Sequence, residues 1–277
     1  MAQRIGRYTL QMTNRPTIEG FASVVGKKEM QGPLSSFFDL SFEGTTLGES
    51  SWEKAESRLQ TEAVNLALRK AGVTAQDIDY IFAGDLLNQC LSSTFGLRSL
   101  DIPFLGQFGA CSTMAQTLAL ASIVVESGAA RKAAAVTSSH FCSAERQFRL
   151  PLEYGGQRTP TAQWTATASG SVIVGTSGKG PFVADVTVGR IVDLGIKDAA
   201  NMGAAMAPAA AQTISDFLQD TGTMPKDYDL ILTGDLGLIG TKLVRQILAD
   251  NNLDITDVHN DCGMMLYDRE KQDVHAG

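Results

Sequence analysis

The longest charge-free stretch of the chain, residues 104–125, is interrupted by Gly, Gln, Ser and Thr, so it reads as a core helix rather than a membrane span. Its helical pattern runs over residues 112–125. Two further segments repeat apolar residues at helical spacing. Residues 51–71 align Leu59, Ala63, Leu66, Ala67 and Ala71, and residues 202–219 align Ala210, Ile214, Phe217 and Leu218, each as one buried face. Gly72 and Gly222 follow these patterns and suit left-handed helix caps. Each is followed by an acidic turn and a short apolar run. Asp77-Ile78-Asp79-Tyr80-Ile81-Phe82-Ala83-Gly84-Asp85 matches Asp227-Tyr228-Asp229-Leu230-Ile231-Leu232-Thr233-Gly234-Asp235 at both early aspartates, the isoleucine and the closing Gly-Asp. The shared offsets of helix, cap and strand point to a duplicated half.

Apolar runs joined by helices imply parallel strands in an α/β layer fold. Further strands are expected over residues 17–25, 132–138, 171–176 and 182–192. The Gly178-Lys179-Gly180-Pro181 turn marks a hairpin between the last two. The division falls within residues 165–170, giving halves of 1–168 and 169–277. The segment 139–164, counted in the first half, is rich in polar and aromatic side chains.

The 277 residues exceed one usual core, in keeping with two halves. Hydrophobic residues make up 44% and charged residues 19%, and the net charge of −7 argues against nucleic-acid binding and offers no polybasic membrane patch. The N-terminal residues lack an apolar signal core, from which synthesis without secretion is expected. Cys90, Cys111, Cys142 and Cys262 show no CxxC spacing, which disfavours a structural metal site or a disulfide framework.

Cys111 lies in Gly106-Gln107-Phe108-Gly109-Ala110-Cys111-Ser112-Thr113-Met114, at the start of the charge-free helix. Free amides and the helix dipole there favour a thiolate. The alternative is a small buried residue where strand meets helix.

The order of these features resembles the thiolase-like superfamily, which includes the acyl-condensing ketoacyl synthases. The resemblance implies a duplicated α-β-α-β-α layered fold, with Cys111 in the nucleophile slot. The runs Ser139-His140-Phe141-Cys142, Glu153-Tyr154-Gly155-Gly156, Asn201-Met202-Gly203-Ala204-Ala205-Met206-Ala207-Pro208 and Asn260-Asp261-Cys262-Gly263 resemble, more closely, the stage V sporulation protein AD family. That likeness implies a soluble protein, peripheral to the spore inner membrane. It would bind dipicolinic acid, alone or as its calcium chelate, and act with the other stage V sporulation A (SpoVA) membrane proteins in uptake and release of that acid. A homodimer is the expectation from the wider fold family. No other cofactor is implied.

Condensing enzymes place a histidine just after the second-half strand, where this chain has Gly234 and Asp235. Without that imidazole the proton handling of condensation is lacking, so a non-catalytic binder is expected, with acyl transfer from Cys111 as the alternative. The family's second proton-handling turn would follow Gly277, so the last helix and strand of the second half are expected to be missing. Dipicolinate is a planar dianion, which calls for arginine forks and an aromatic wall. Arg146, Arg149, Arg158 and Trp164 in the segment 139–164 are the candidate contacts, with Cys111, His140 and Asp235 completing the set. For the arginines the alternative is ion pairing with Glu145 and Glu153. For His140 it is a satisfied core histidine. His259 and His275 read as surface residues, and Cys142 and Cys262 as packing.

Overall fold

The computed structural model describes residues 2–148 and 158–277. They form two compact units, each built from more than one stretch of chain. The first takes Ala2, 12–148 and Thr165–Ala184, and the second takes Gln3–Gln11, 158–164 and Asp185–Gly277. Among the described residues the strands are β1 (Gln3–Ile5), β2 (Thr9–Gln11), β3 (Thr17–Gly26), β4 (Leu40–Phe42), β5 (Tyr80–Gly84), β6 (Phe104–Gly106), β7 (Ala133–Ser139), β8 (Ala168–Gly175), β9 (Asp185–Thr187), β10 (Ile231–Thr233) and β11 (His259–Asp261). The α-helices are α1 (Trp52–Ala71), α2 (Leu91–Leu97), α3 (Thr113–Glu126), α4 (Phe141–Phe148), α5 (Met202–Thr221), α6 (Gly237–Asp250) and α7 (Cys262–Leu266). No described helix is long and apolar enough to cross a membrane.

The first unit is a six-stranded sheet in the order β4-β3-β8-β7-β5-β6. Alternation along its central strands assigns each face to one helix. Ile81, Ala83, Ala134, Val136 and Ile173 pack with Val64, Ala67 and Leu68 of α1. Phe82, Ala133, Ala135 and Val174 pack with Ala121 and Val125 of α3. Period-two side-chain alternation in a strand covered on both faces produces this split. The alanine run of β7 has no exposed surface, so both helices approach its backbone closely.

The parallel expectation holds for β5 with β6 and β7, but β8 runs antiparallel to both β7 and β3. An apolar run records burial and carries no direction, so the mixed sheet was not legible in it. The expected hairpin at 178–181 is also corrected: β9 pairs with β2 in a separate three-stranded sheet, and residues beyond Thr187 leave strand geometry, with Ile191 99% exposed. The helical pattern over 112–125 forms α3 (Thr113–Glu126), while the first residues of the charge-free stretch form the edge strand β6, which the sequence did not announce.

The duplicated cap is present in both units. Gly72 and Gly222 adopt φ of 69° and 67°, and each amide bonds back to the last turn of its helix. The following turns repeat too, since Asp77 accepts from the Thr74 amide and Asp227 from the Met224 amide.

In the second unit α5 and α6 cross at two glycines. A methyl group on Gly203 would lie 2.6 Å from the Leu236 carbonyl oxygen, and one on Gly240 would lie 2.9 Å from the Gly203 carbonyl oxygen. Ala207, Ala211, Val244, Leu248 and Ile255 fill the core beside this crossing. Gly240→Ala is therefore expected to cost about 1–3 kcal/mol by overpacking, read as a lower urea midpoint. An unshifted midpoint would show that the helices separate freely.

Candidate functional site

Cys111 lies on a short turn, Ala110–Ser112, that leads directly into α3. The turn is held by its own hydroxyls: Ser112 Oγ donates to the Gly109 carbonyl and Thr113 Oγ1 to the Ala110 carbonyl, both at 2.8 Å. Ala110 has φ of 46°, a left-handed conformation that a side-chain-bearing residue adopts at a cost. The preceding loop presses on the end of β5, where a methyl on Gly84 would lie 2.0 Å from the Gln107 carbonyl oxygen. Glycine at 84 is therefore required for the turn to reach the sheet. The cysteine itself is half-buried.

His140 follows β7 and is 1% exposed. Its Nε2 faces the Thr45 carbonyl oxygen at 2.6 Å, and its Nδ1 accepts the Cys142 amide at 3.2 Å. Both ring nitrogens thus serve backbone groups, which fixes a neutral ring protonated at Nε2. This matches the satisfied core histidine, and a ligand could reach the ring only by breaking those bonds. Arg146 is exposed, lies 4.7 Å over the Trp52 ring and pairs with Glu53 at 3.3 Å; Glu153 lies outside the described residues. Arg149 lies outside the described residues.

The remaining candidates fall in the second unit, where Gln163 draws them together. Its side-chain amide donates to the backbone carbonyl of Asp235, and its backbone carbonyl oxygen accepts from Arg158 Nη2 at 2.8 Å. The Arg158 guanidinium lies 4.6 Å from the centre of the Trp164 ring. That places a cation on an aromatic face. Asp235 is exposed and holds φ of 60° at the end of β10. Cys111, His140 and Arg146 therefore belong to one unit, and Arg158, Trp164 and Asp235 to the other.

Sequence reasoning missed the residue that fixes the Asp235 turn. Asp261 is fully buried, and its carboxylate accepts the Leu236 amide at 3.1 Å, the Gly237 amide at 2.9 Å, the Gly263 amide at 3.1 Å and Thr233 Oγ1 at 2.7 Å. One carboxylate thereby caps the start of both α6 and α7. The signal available was a capping residue, Asp261, set between the β run and a Cys-Gly turn.

His259 corrects the surface reading, being 5% exposed in β11. Arg245 Nε donates to its Nδ1 at 3.1 Å, so its Nε2 carries the proton and donates to Thr233 Oγ1 at 3.0 Å. His275 is half-buried, with Nδ1 on the Thr159 carbonyl at 2.9 Å. Cys262 is exposed as a residue, which corrects the packing reading, yet desolvation of its thiol and the charges of Asp235 and Asp261 push it up to about 11. No cluster among the described residues has the donors to hold a metal ion.

A two-sided α/β sheet with a cysteine turn opening a helix packed on it defines a thiolase-like fold. Solved structures of condensing enzymes share it. AbyA1, a tetronic acid condensing enzyme, superposes with a TM-score of 0.61 at 15% identity over 91% of this chain and 87% of that one. The 3-oxoacyl-[acyl-carrier-protein] synthase III of Aquifex aeolicus VF5 gives 0.56 at 13% identity, over 91% and 85%. OleA of Xanthomonas campestris gives 0.60 at 11%, over 94% and 84%. At these identities the likeness is one of fold alone. The particular family is shown by sequence. Residues 6–277 match the stage V sporulation protein AD family, and stage V sporulation protein AD of Bacillus subtilis (strain 168) is 44% identical over 272 residues, covering 98% of this chain and 80% of that protein. The chain belongs to the stage V sporulation protein AD family.

Burial lowers the pKa of His140 and of His259, and Arg245 adds to the effect at His259. A histidine held neutral in the fold leaves stability intact above its ordinary 6.5 and removes it as pH falls below that value. Both imidazoles are expected to titrate below 6.5 in an NMR pH series, with the melting temperature falling as the solution is acidified through that range. Midpoints at or above 6.5 would contradict the neutral, bonded rings.

Proposed function

We propose that this chain binds dipicolinic acid without turning it over, as the membrane-peripheral component of spore transport machinery that takes the acid up during sporulation and releases it in germination. Its partners are then the other SpoVA membrane proteins. The observation that carries the reading, beside family membership, is Arg158 stacked on Trp164 next to the Asp235 turn. A guanidinium offers two parallel donors to a carboxylate, and the indole gives a flat apolar wall to a pyridine ring. The turn that holds a histidine in condensing enzymes holds Gly234 and Asp235 here. Neither can act as a neutral imidazole donor to an oxyanion.

Calorimetric titration of dipicolinate into the purified protein tests this. Saturable binding is expected, weakened more than about tenfold in at least one of the charge-removing variants of Arg146, Arg149 and Arg158, foremost R158Q. Unchanged affinity in all three would remove the carboxylate contacts proposed here.

A second reading, acyl transfer through Cys111, draws on the strained turn at residue 110 that presents the cysteine at the start of α3. Incubation with acyl-thioesters followed by intact-mass analysis decides between them. No adduct is expected; a persistent acyl group on Cys111, absent in C111A, would favour the enzyme.

We also propose a homodimer formed by pairing of β6 with its copy. β6 ends the sheet, and Phe95, Phe104, Leu105 and Phe108 are exposed in and around it. The run from Phe104 to Phe108 carries no charged gatekeeper against edge pairing. Light scattering should give the mass of two chains, and L105K should halve it. A monomeric starting protein would discard the proposal.

A further inference from the structure

Glu56 and Asp85 are among the buried carboxyl groups of the first unit, and neither has an arginine or lysine partner among the described residues. Glu56 of α1 is 0% exposed, and Asp85, just beyond β5, is 1% exposed. Side chains join them in one chain of hydrogen bonds. Glu56 Oε1 meets Ser138 Oγ at 2.9 Å, and Gln60 Nε2 meets both Ser138 Oγ and Ser93 Oγ at 2.8 Å. Ser93 Oγ in turn donates to Asp85 Oδ2 at 2.6 Å.

The two ends of this chain differ. Asp85 accepts the backbone amides of Leu87 and Ser93, both at 2.8 Å. Amides only donate, so Asp85 meets them with acceptor oxygens. Glu56 meets hydroxyls alone. Its second oxygen lies 2.9 Å from Ser143 Oγ, and that same hydroxyl lies 3.1 Å from the His140 carbonyl oxygen. A hydroxyl has one hydrogen. Given to the His140 carbonyl, it leaves the Glu56 contact to be made by a proton on Glu56.

We propose that Glu56 is a buried carboxylic acid at neutral pH whose proton ties α4 to α1, and that losing this proton to alkaline solvent frees α4. Burial, then the charge of Asp85, push its carboxyl from 4.5 up to about 8. The proton-dependent stability is thus complete below 4.5 and is lost as pH rises through about 8. The surrounding elements do little to offset the charge that would form. α2, β7 and β8 carry no ionisable side chain, and Glu19 of β3 is paired with Lys132. On α4, Arg146 is engaged by Glu53 and Glu145 is itself acidic. His140 is held neutral.

Infrared difference spectra of the whole protein against E56Q test the proton, and amide hydrogen exchange of α4 tests the tie. A protonated-carboxyl band is expected near neutral pH and should vanish above about pH 9, roughly one unit past the midpoint, where about nine tenths of the acid has ionised. Over the same range the protection of Phe141–Phe148 should fall about tenfold in the native chain, as expected for one pKa unit, and stay flat in E56Q. Should E56Q not fold, S143A serves instead: it keeps the band but starts with α4 already poorly protected. Absence of the band at neutral pH, or an equal loss of α4 protection in E56Q, would overturn the proposal.

Discussion

Everything in the first unit is organised by the squeezing of β7 and β5 between two helices. Ala133, Ala134 and Ala135 are wholly buried, and their small side chains set how near α1 and α3 come to the sheet. Protein interiors are close-packed, so these separations are fixed to fractions of an ångström. The cysteine turn inherits that precision. Gly84 lets the loop before Cys111 lie on the strand end, and α3 carries the turn as its first residues. The position of the sulfur is therefore a consequence of sheet packing.

The strand ends are where polar groups enter this packing. Glu56 and Gln60 stand one turn apart on the buried side of α1, among Ala55, Leu59 and Ala63. Burying them costs free energy unless every group finds a partner. Ser138 of β7 and Ser143 of α4 meet Glu56, and Ser138 and Ser93 of α2 meet the Gln60 side-chain NH2, while Gln60 Oε1 has no hydrogen-bond partner among the described residues. In the second unit Asp261 has the same part, gathering the amides that open α6 and α7 and thereby holding the Asp235 turn. Both units thus close the strand ends with carboxyl groups. Asp261 is fed mainly by amides, whereas Glu56 is fed by hydroxyls and resists ionisation.

On the proposed function, a scaffold shared with condensing enzymes retains the cysteine position while its second-half turn offers an aspartate in place of an imidazole. Under that proposal the chemistry of the turn is electrostatic recognition. Arg158 on Trp164 suits a flat anion, and the fully engaged rings of His140 and His259 leave little imidazole capacity for proton transfer.

The sequence by itself determined α1, α3 and α5, the glycine caps of α1 and α5, the repeated block and the central strands, because these follow from local periodicity and from glycine's access to left-handed backbone. It also carried the family, through long runs whose composition is unusual. It did not yield the antiparallel setting of β8, the edge strand β6, or the departure of β9 to another sheet, since an apolar run records burial without direction or partner. The roles of Glu56, His140, His259 and Asp261 were hidden for a related reason. Most of their partners, hydroxyls for Glu56 and backbone groups such as the Thr45 carbonyl and the Leu236 and Gly237 amides for His140 and Asp261, lie far away in the chain, and only the fold brings donor and acceptor within hydrogen-bond reach.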